Sequence, residues 1–197
     1  MRIKIFLAMT FAAALLGSCK TAEFGFKVFD VNGMVYDFAN RPVPHYELAL
    51  GKTHKGITDI NGRFTLQKAP VGNYILTGSK AGFESYHDEV AIKERGQIIY
   101  IRIPSQNQLL GMVDEALTAN NFVLAEELAE RALLIDENNI ETLFYYAVVS
   151  FRQSNFETAI SLLESAVDLG TKDIYTEKFL AVLREKQKEK QYEEDTF

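Results

Sequence analysis

Along residues 24–103 the apolar positions alternate. Phe24-Gly25-Phe26-Lys27-Val28, Tyr46-Glu47-Leu48-Ala49-Leu50 and Ile99-Tyr100-Ile101-Arg102-Ile103 each send every second side chain to one face. That is the period of a strand with one side buried. Gly, Pro, Asn and Asp separate the runs. Thr58-Asp59-Ile60-Asn61-Gly62-Arg63-Phe64 predicts a hairpin, because Asn-Gly supplies the positive φ of a tight turn. Ala69-Pro70-Val71-Gly72-Asn73-Tyr74 predicts a second turn before another strand. About seven strands at this spacing predict a small antiparallel β-sandwich.

Past Pro104-Ser105 the period changes to that of a helix. Helices are predicted over Asn107–Thr118, Asn121–Ile135, Ile140–Arg152 and Asn155–Leu169. The stretch repeats itself 34 residues on: Phe122 maps to Phe156, Ala125 to Ala159, Ala132 to Ala166 and Ile135 to Leu169. Asn120-Asn121 and Ser154-Asn155 are the turns, with side chains suited to capping the next helix. A further helix is predicted from Ile174 to about Tyr192. Its first half is apolar enough to cap the stack. Its second half, through Arg184-Glu185-Lys186-Gln187-Lys188-Glu189-Lys190, is polar all round and is expected to project. Two repeats and a cap are few for a stack that draws stability from its neighbours. Packing against the β module or a second copy is therefore expected.

Charge divides the chain at the same place. Residues 20–105 hold 11 basic and 9 acidic side chains; residues 106–197 hold 8 and 18. A break in charge that coincides with a break in period marks two modules. Hydrophobic residues at 47% and charged residues at 24% are ordinary for a globular chain, which sets aside wholesale disorder. A formal net charge of −6 argues against nucleic acid as the main partner. One cysteine excludes an internal disulfide and a Cys-rich zinc site.

The first residues set the compartment. Met1-Arg2-Ile3-Lys4 is a short positive start, and Ile5 to Leu15 is apolar. A spanning helix needs ~20 such residues, so this run fits a secretory signal instead. The following Leu16-Gly17-Ser18-Cys19 resembles a bacterial lipobox. The resemblance implies cleavage before Cys19 and acylation there, which tethers the mature chain to a membrane.

Two further resemblances cover most of the remainder. Gly33-Met34-Val35-Tyr36-Asp37, Asn40-Arg41-Pro42-Val43-Pro44, Thr58 to Leu66, Pro70-Val71-Gly72-Asn73-Tyr74 and Lys80-Ala81-Gly82-Phe83 occur in the order of the carboxypeptidase-regulatory-like domain. This implies a transthyretin-like sandwich with an accessory, non-catalytic role. The helical stretch resembles the tetratricopeptide repeat. Ala125, Ala132, Ala159 and Ala166 stand at its small positions, with Leu109 and Leu143 where Trp is frequent, and Glu137 and Thr171 replacing its usual proline.

The expected fold is thus a multidomain chain with α and β units, an N-terminal antiparallel sandwich and C-terminal helical hairpins with a capping helix. The expected bounds are 1–18 signal, 19–23 lipidated tether, 24–103 sandwich, 106–173 two repeats, 174–192 capping helix and 193–197 tail.

Candidate chemistry is sparse. Asp59, Asn61 and Gly62 are spaced like the start of a calcium loop, but the twelfth position, where such a loop needs Glu, is Pro70. His45, His54 and His87 lack metal-ligand spacing. Glu126-Glu127 is an adjacent pair on a helix, expected to be solvated. No catalytic residue, metal or cofactor is expected. Tyr36, Tyr46, Tyr74, Tyr86 and Tyr100 are candidates for a sugar platform. The repeat resemblance implies a concave face at Leu110, Asp114, Leu117, Phe144, Val148 and Phe151, an anchor site for a protein segment. The surrounding acidic excess favours a basic or amphipathic partner. The expected function is a lipid-anchored scaffold of the bacterial envelope. A cell-wall or glycan-binding accessory protein is the alternative, and assembly with a second copy is left open.

Overall fold

The computed structural model describes residues 27–171 and 173–194. The predicted signal and the candidate lipidation site Cys19 lie outside the described residues.

Seven strands come first: β1 (Val28–Tyr36), β2 (Glu47–Leu50), β3 (His54–Ile57), β4 (Arg63–Pro70), β5 (Gly72–Ser79), β6 (Tyr86–Ile92) and β7 (Ile98–Arg102). They form a three-stranded sheet, ordered β4-β1-β7, and a four-stranded sheet, ordered β3-β2-β5-β6. Alternate residues of both sheets meet in one core. Val31 and Val35 of β1, Leu66 of β4 and Ile101 of β7 share it with Leu50 of β2 and Leu76 of β5. The pairing is not antiparallel throughout, as the sequence led us to expect. The chain leaves β6 at the edge of the larger sheet, crosses to the smaller one, and runs β7 parallel to β1, with Asn32 opposite Ile98 and Tyr36 opposite Arg102. Alternation places a strand's buried side and says nothing of its direction, so this pairing had no signal in the pattern.

Local chemistry shapes the turns. The Asp59 carboxylate accepts the N–H groups of Asn61 and Arg63, at 2.8 and 2.9 Å. Gly62 holds φ +74°, and a Cβ there would come within 2.5 Å of the Val35 carbonyl oxygen, so glycine is required. Between β1 and β4 the register shifts after Phe29. The extra β4 residue is accommodated at Lys68, with φ 51°, and its N–H donates to the Asp30 carboxylate at 2.9 Å, the geometry of a bulge.

Five helices follow: α1 (Gln106–Thr118), α2 (Phe122–Ile135), α3 (Ile140–Arg152), α4 (Phe156–Asp168) and α5 (Ile174–Glu194). Ser105 opens α1 with a reciprocal capping box to Gln108, and Asn121, Asn139 and Asn155 cap the next three. Asn120 and Ser154, 34 residues apart, both take positive φ, at 55° and 63°. Each helix packs on the next in sequence. Ala125, Ala132, Ala159 and Ala166 are wholly buried; small side chains there let the backbones approach. α5 stays helical to Glu194, two residues past the expected end. Its Leu180 and Leu183 are buried. Its polar half remains alongside α4, with Arg184 paired to Glu164 at 2.7 Å and the Lys190 ammonium 5.9 Å from the Phe156 ring centre. No described helix is long and apolar enough to cross a membrane.

The segment between β5 and β6 ties the two units together. Phe83 bridges Ser105, the Gln106 N–H donates to Gly82, and the Glu84 N–H donates to Pro104. The Glu84 carboxylate receives both Nε and Nη2 of Arg131 from α2, at 2.7 and 2.9 Å. The buried Tyr46 hydroxyl donates to the Glu84 carbonyl at 3.0 Å. Gln106 then spans the helices, its amide donating at 3.1 Å to both the Ala132 carbonyl and the Thr142 hydroxyl.

Candidate binding face on the helical unit

The six residues expected to face a partner divide in the structure. Leu110 and Leu117 of α1 are buried, 3% and 9% exposed, in a cluster with α2 and α3. Their contact with α3 closes them off, so they do not line an open surface. Val148 is half-buried against the same cluster. Phe144 and Phe151 belong to a second cluster, with α4 and α5. Phe179 of α5 reaches between them, its ring centre 6.0 Å from Phe144 and 5.5 Å, edge-on, from Phe151. Aromatic pairs in this range add attraction beyond the buried area. Asp114 is exposed.

What stays open follows from the helical phase. One turn from the buried stripe, the 34-residue repeat carries Asp114 to Val148 and Val182, and Thr118 to Arg152 and Lys186. It also carries Glu141 to Tyr175. Val182 is 45% and Tyr175 is 71% exposed. Equivalent positions of α1, α3 and α5 thus carry carboxylates at Asp114 and Glu141, apolar side chains at Val148, Val182 and Tyr175, and cations at Arg152 and Lys186. Tyr145 adjoins the acidic end. Burial pushes its phenol up first, and the negative charges of Asp114 and Glu141 push it further, so it is a protonated hydrogen-bond donor. Arg152 is held from behind, 5.1 Å from the Phe122 ring centre and donating to the Asn120 side chain at 3.0 Å. The sequence reading missed Tyr175, Phe179 and Val182. Carrying the expected α3 positions one repeat further finds Val182 but gives Lys178 and Glu185 beside it, so Tyr175 and Phe179 had no signal there.

On the outside of α2 and α3, Tyr146 donates to the Glu130 carboxylate at 3.1 Å. Burial, that bond and the charges of Glu130 and Glu126 push its pKa up to about 12. Gln153 donates to Glu126 at 2.8 Å, while Glu127 is 65% exposed.

On the β unit the five tyrosines separate. Tyr46 is wholly buried, its pKa pushed up to about 12 chiefly by burial. Tyr74 and Tyr86 pack partly against the core from the larger sheet. Tyr36 and Tyr100 lie on the outer face of the smaller sheet, in register rows with Arg102 and Met34. Asn32 and Thr65 share that face and are bonded at 2.8 Å. A shallow cavity of about 400 Å³ runs beside them, lined by Met34, Ile57, Arg63 and Ile98 among others. Among the described residues no three His, Cys, Asp or Glu side chains are grouped to hold a metal. The Asp59 carboxylate is occupied by its own turn.

No family model matches the chain, and no curated protein does. Solved structures similar to it include the following bacterial proteins. A type II cohesin–X-dockerin complex from Acetivibrio cellulolyticus is 18% identical over 42% of this chain and 62% of that one, with TM-score 0.35. The major pilin subunit of Bacillus cereus is 16% identical over 40% and 29%, with TM-score 0.34. Catechol 1,2-dioxygenase from Pseudomonas arvilla C-1 is 10% identical over 43% and 54%, with TM-score 0.35. The matches thus span less than two thirds of each of these chains.

Proposed function

We propose that this chain is a non-catalytic envelope lipoprotein that holds a partner protein segment on the α1–α3–α5 face. In this reading Cys19 carries the lipid, the β unit is a carboxypeptidase-regulatory-like spacer, and the helices are two tetratricopeptide hairpins with α5 as the third first-helix of the stack. The 34-residue identity between paired positions and the recurring positive-φ turns at Asn120 and Ser154 support the repeat assignment. One observation carries the binding role: α5 packs Phe179 on Phe144 and Phe151 but leaves its own Val182 and Tyr175 exposed. Apolar side chains bracketed by opposite charges suit an amphipathic segment, the apolar anchors supplying affinity and the charges its direction.

The test is crosslinking in cells followed by mass spectrometry, with Val148→Glu/Val182→Glu beside the unaltered chain. Val182 is exposed and Val148 half-buried, so circular dichroism first checks that the variant folds, and Val182→Glu alone serves if it does not. A partner captured by the unaltered chain and lost from the variant supports the face. The same partners with both chains refute it.

The alternative is glycan binding on the smaller sheet, favoured by the side-by-side placement of Tyr36, Tyr100, Asn32 and Thr65. Retention on isolated cell wall that drops in Tyr100→Ala would favour it over the helical face.

A further inference from the structure

The β unit has a basic pole, and we propose that this pole rests on an anionic lipid surface and sets the chain upright on the membrane. The proposal rests on the lipid anchor at Cys19.

Three connections converge at one end of the β unit. Val28 opens β1 opposite Pro70, the last residue of β4, and the Val71 N–H donates to the Lys27 carbonyl. Gly72 opens β5 opposite Ile92, where β6 ends, so the β6–β7 connection starts here too. The β2–β3 turn reaches the same end, its Gly51 N–H bonded to Ile75. Lys27, Lys52, Lys68, Lys93 and Arg95 are brought together by these connections, and all five are exposed. Asp30, Glu89 and Glu94 are the acids nearby, and Asp30 is already bonded to the Lys68 N–H. The ion pairs of the β unit lie elsewhere, at Arg41–Asp37 and Glu84–Arg131. Val28 and Val71 stand among the cations at 47% and 44% exposure. Cations interleaved with exposed apolar side chains fit an anionic bilayer surface, where each Lys or Arg gains from the surface potential.

Chain length brings the pole to that surface. Cys19 and Lys27 are eight residues apart, a reach of at most about 29 Å. Cys19 held at the bilayer therefore keeps the Lys27 end of the β unit near it. β7 leaves the opposite end, since Arg102 pairs with Tyr36 at the far end of β1. The helical stretch, with 18 acidic and 8 basic side chains, follows from there. An anionic surface attracts one end and repels the other, so the helical unit stands away from the membrane. The two or three acyl chains that a lipobox cysteine carries hold the chain at the bilayer, and the basic pole sets its orientation there.

The test uses the full chain purified from a bacterial host. It is mixed with vesicles of phosphatidylglycerol and phosphatidylcholine, or of phosphatidylcholine alone. Mass spectrometry of the Cys19 peptide reads acylation, and so judges the anchor separately. A water-soluble amine reagent reads the pole. Lys27, Lys52, Lys68 and Lys93 are expected to label about tenfold more slowly on the phosphatidylglycerol vesicles, a difference that high salt removes. Lys178 and Lys186 are expected to label equally on both. Equal labelling of the four pole lysines on the two vesicles overturns the proposal, even with Cys19 acylated. If Cys19 proves unmodified, the anchor fails and sedimentation with the phosphatidylglycerol vesicles judges the pole. Loss of affinity by at least about 100-fold in Lys52→Glu/Lys68→Glu/Lys93→Glu then supports it, and unchanged sedimentation overturns it.

Discussion

The joint between the two units hangs on the Glu84–Arg131 pair, and its contribution can be worked from the geometry. Two hydrogen bonds at 2.7 and 2.9 Å join carboxylate and guanidinium in parallel, the strong arrangement for these groups. The side chains are 31% and 28% exposed. A fully exposed pair contributes ~0–1 kcal/mol, while breaking a buried one costs ~3–5. Partial exposure and two-point geometry place this pair between, at about 1–2 kcal/mol. The Glu84 backbone stays bonded to Tyr46 and Pro104 after its side chain is changed, so the loop keeps its place and the pair can be read by itself. The assay is a double-mutant cycle with Glu84→Gln and Arg131→Met, followed by thermal unfolding. The coupling is expected at about 1–2 kcal/mol, a fall in Tm of about 3–6 °C for a chain of this size. Salt near 1 M shortens the screening length to about 3 Å and is expected to shrink the coupling without abolishing it. A coupling below about 0.3 kcal/mol would show that the ion pair contributes nothing of note and that the backbone bonds at Gly82 and Pro104 hold the joint.

Gly62→Ala should cost more than about 2 kcal/mol in urea unfolding, because positive φ and the Val35 carbonyl both oppose a Cβ; a neutral result would mean that the turn relaxes freely. At Asp37 burial acts to raise the carboxyl pKa, but hydrogen bonds from Arg41 and Ala39 and the Arg41 charge outweigh it and hold the carboxyl below its ordinary 3.8. A lowered native pKa gives stability that is present above 3.8 and lost as pH falls through the native value. Asp37→Asn should therefore be less stable than the unaltered chain at neutral pH, with the gap closing in acid. Tyr46, raised to about 12 by burial, works in the opposite sense: its contribution is whole below pH 10 and fades as pH rises through about 12. Tyr46→Phe should remove one of the last phenol ionisations seen by ultraviolet absorbance. Phe179→Ala removes the ring between Phe144 and Phe151 and should cost about 2–3 kcal/mol, less than the ~3–5 of a fully buried ring. Unaltered unfolding would show that α5 contributes little to the stack.

The helical half was legible nearly to the residue. α3 spans the expected Ile140–Arg152, α1 and α2 differ from expectation by a residue at one end, and α4 by a residue at each end. A repeat that returns every 34 residues, with an Asn cap each time, states its phase twice. The candidate face was legible only in part. Leu110 and Phe144 are equivalent by repeat, and both are packed against a following helix, Leu110 against α3 and Phe144 against Phe179 of α5, where an open face was expected. A repeat specifies what a position is, whereas its neighbour along the stack decides whether it is covered.

The elements, the buried sides of the strands and the change from strand to helix at Pro104-Ser105 were readable along the chain, because these depend on side chains a few residues apart. The short range of alternation, helical phase, caps and Asn-Gly turns makes them local properties. Packing in three dimensions settled that β7 runs parallel to β1, that Glu84 meets Arg131 across 47 residues, and that Lys27, Lys52, Lys68 and Lys93 from separate segments gather at one pole. Those outcomes depend on which distant segments share the core, and the energy that selects among them comes from burying both sheets and all five helices together.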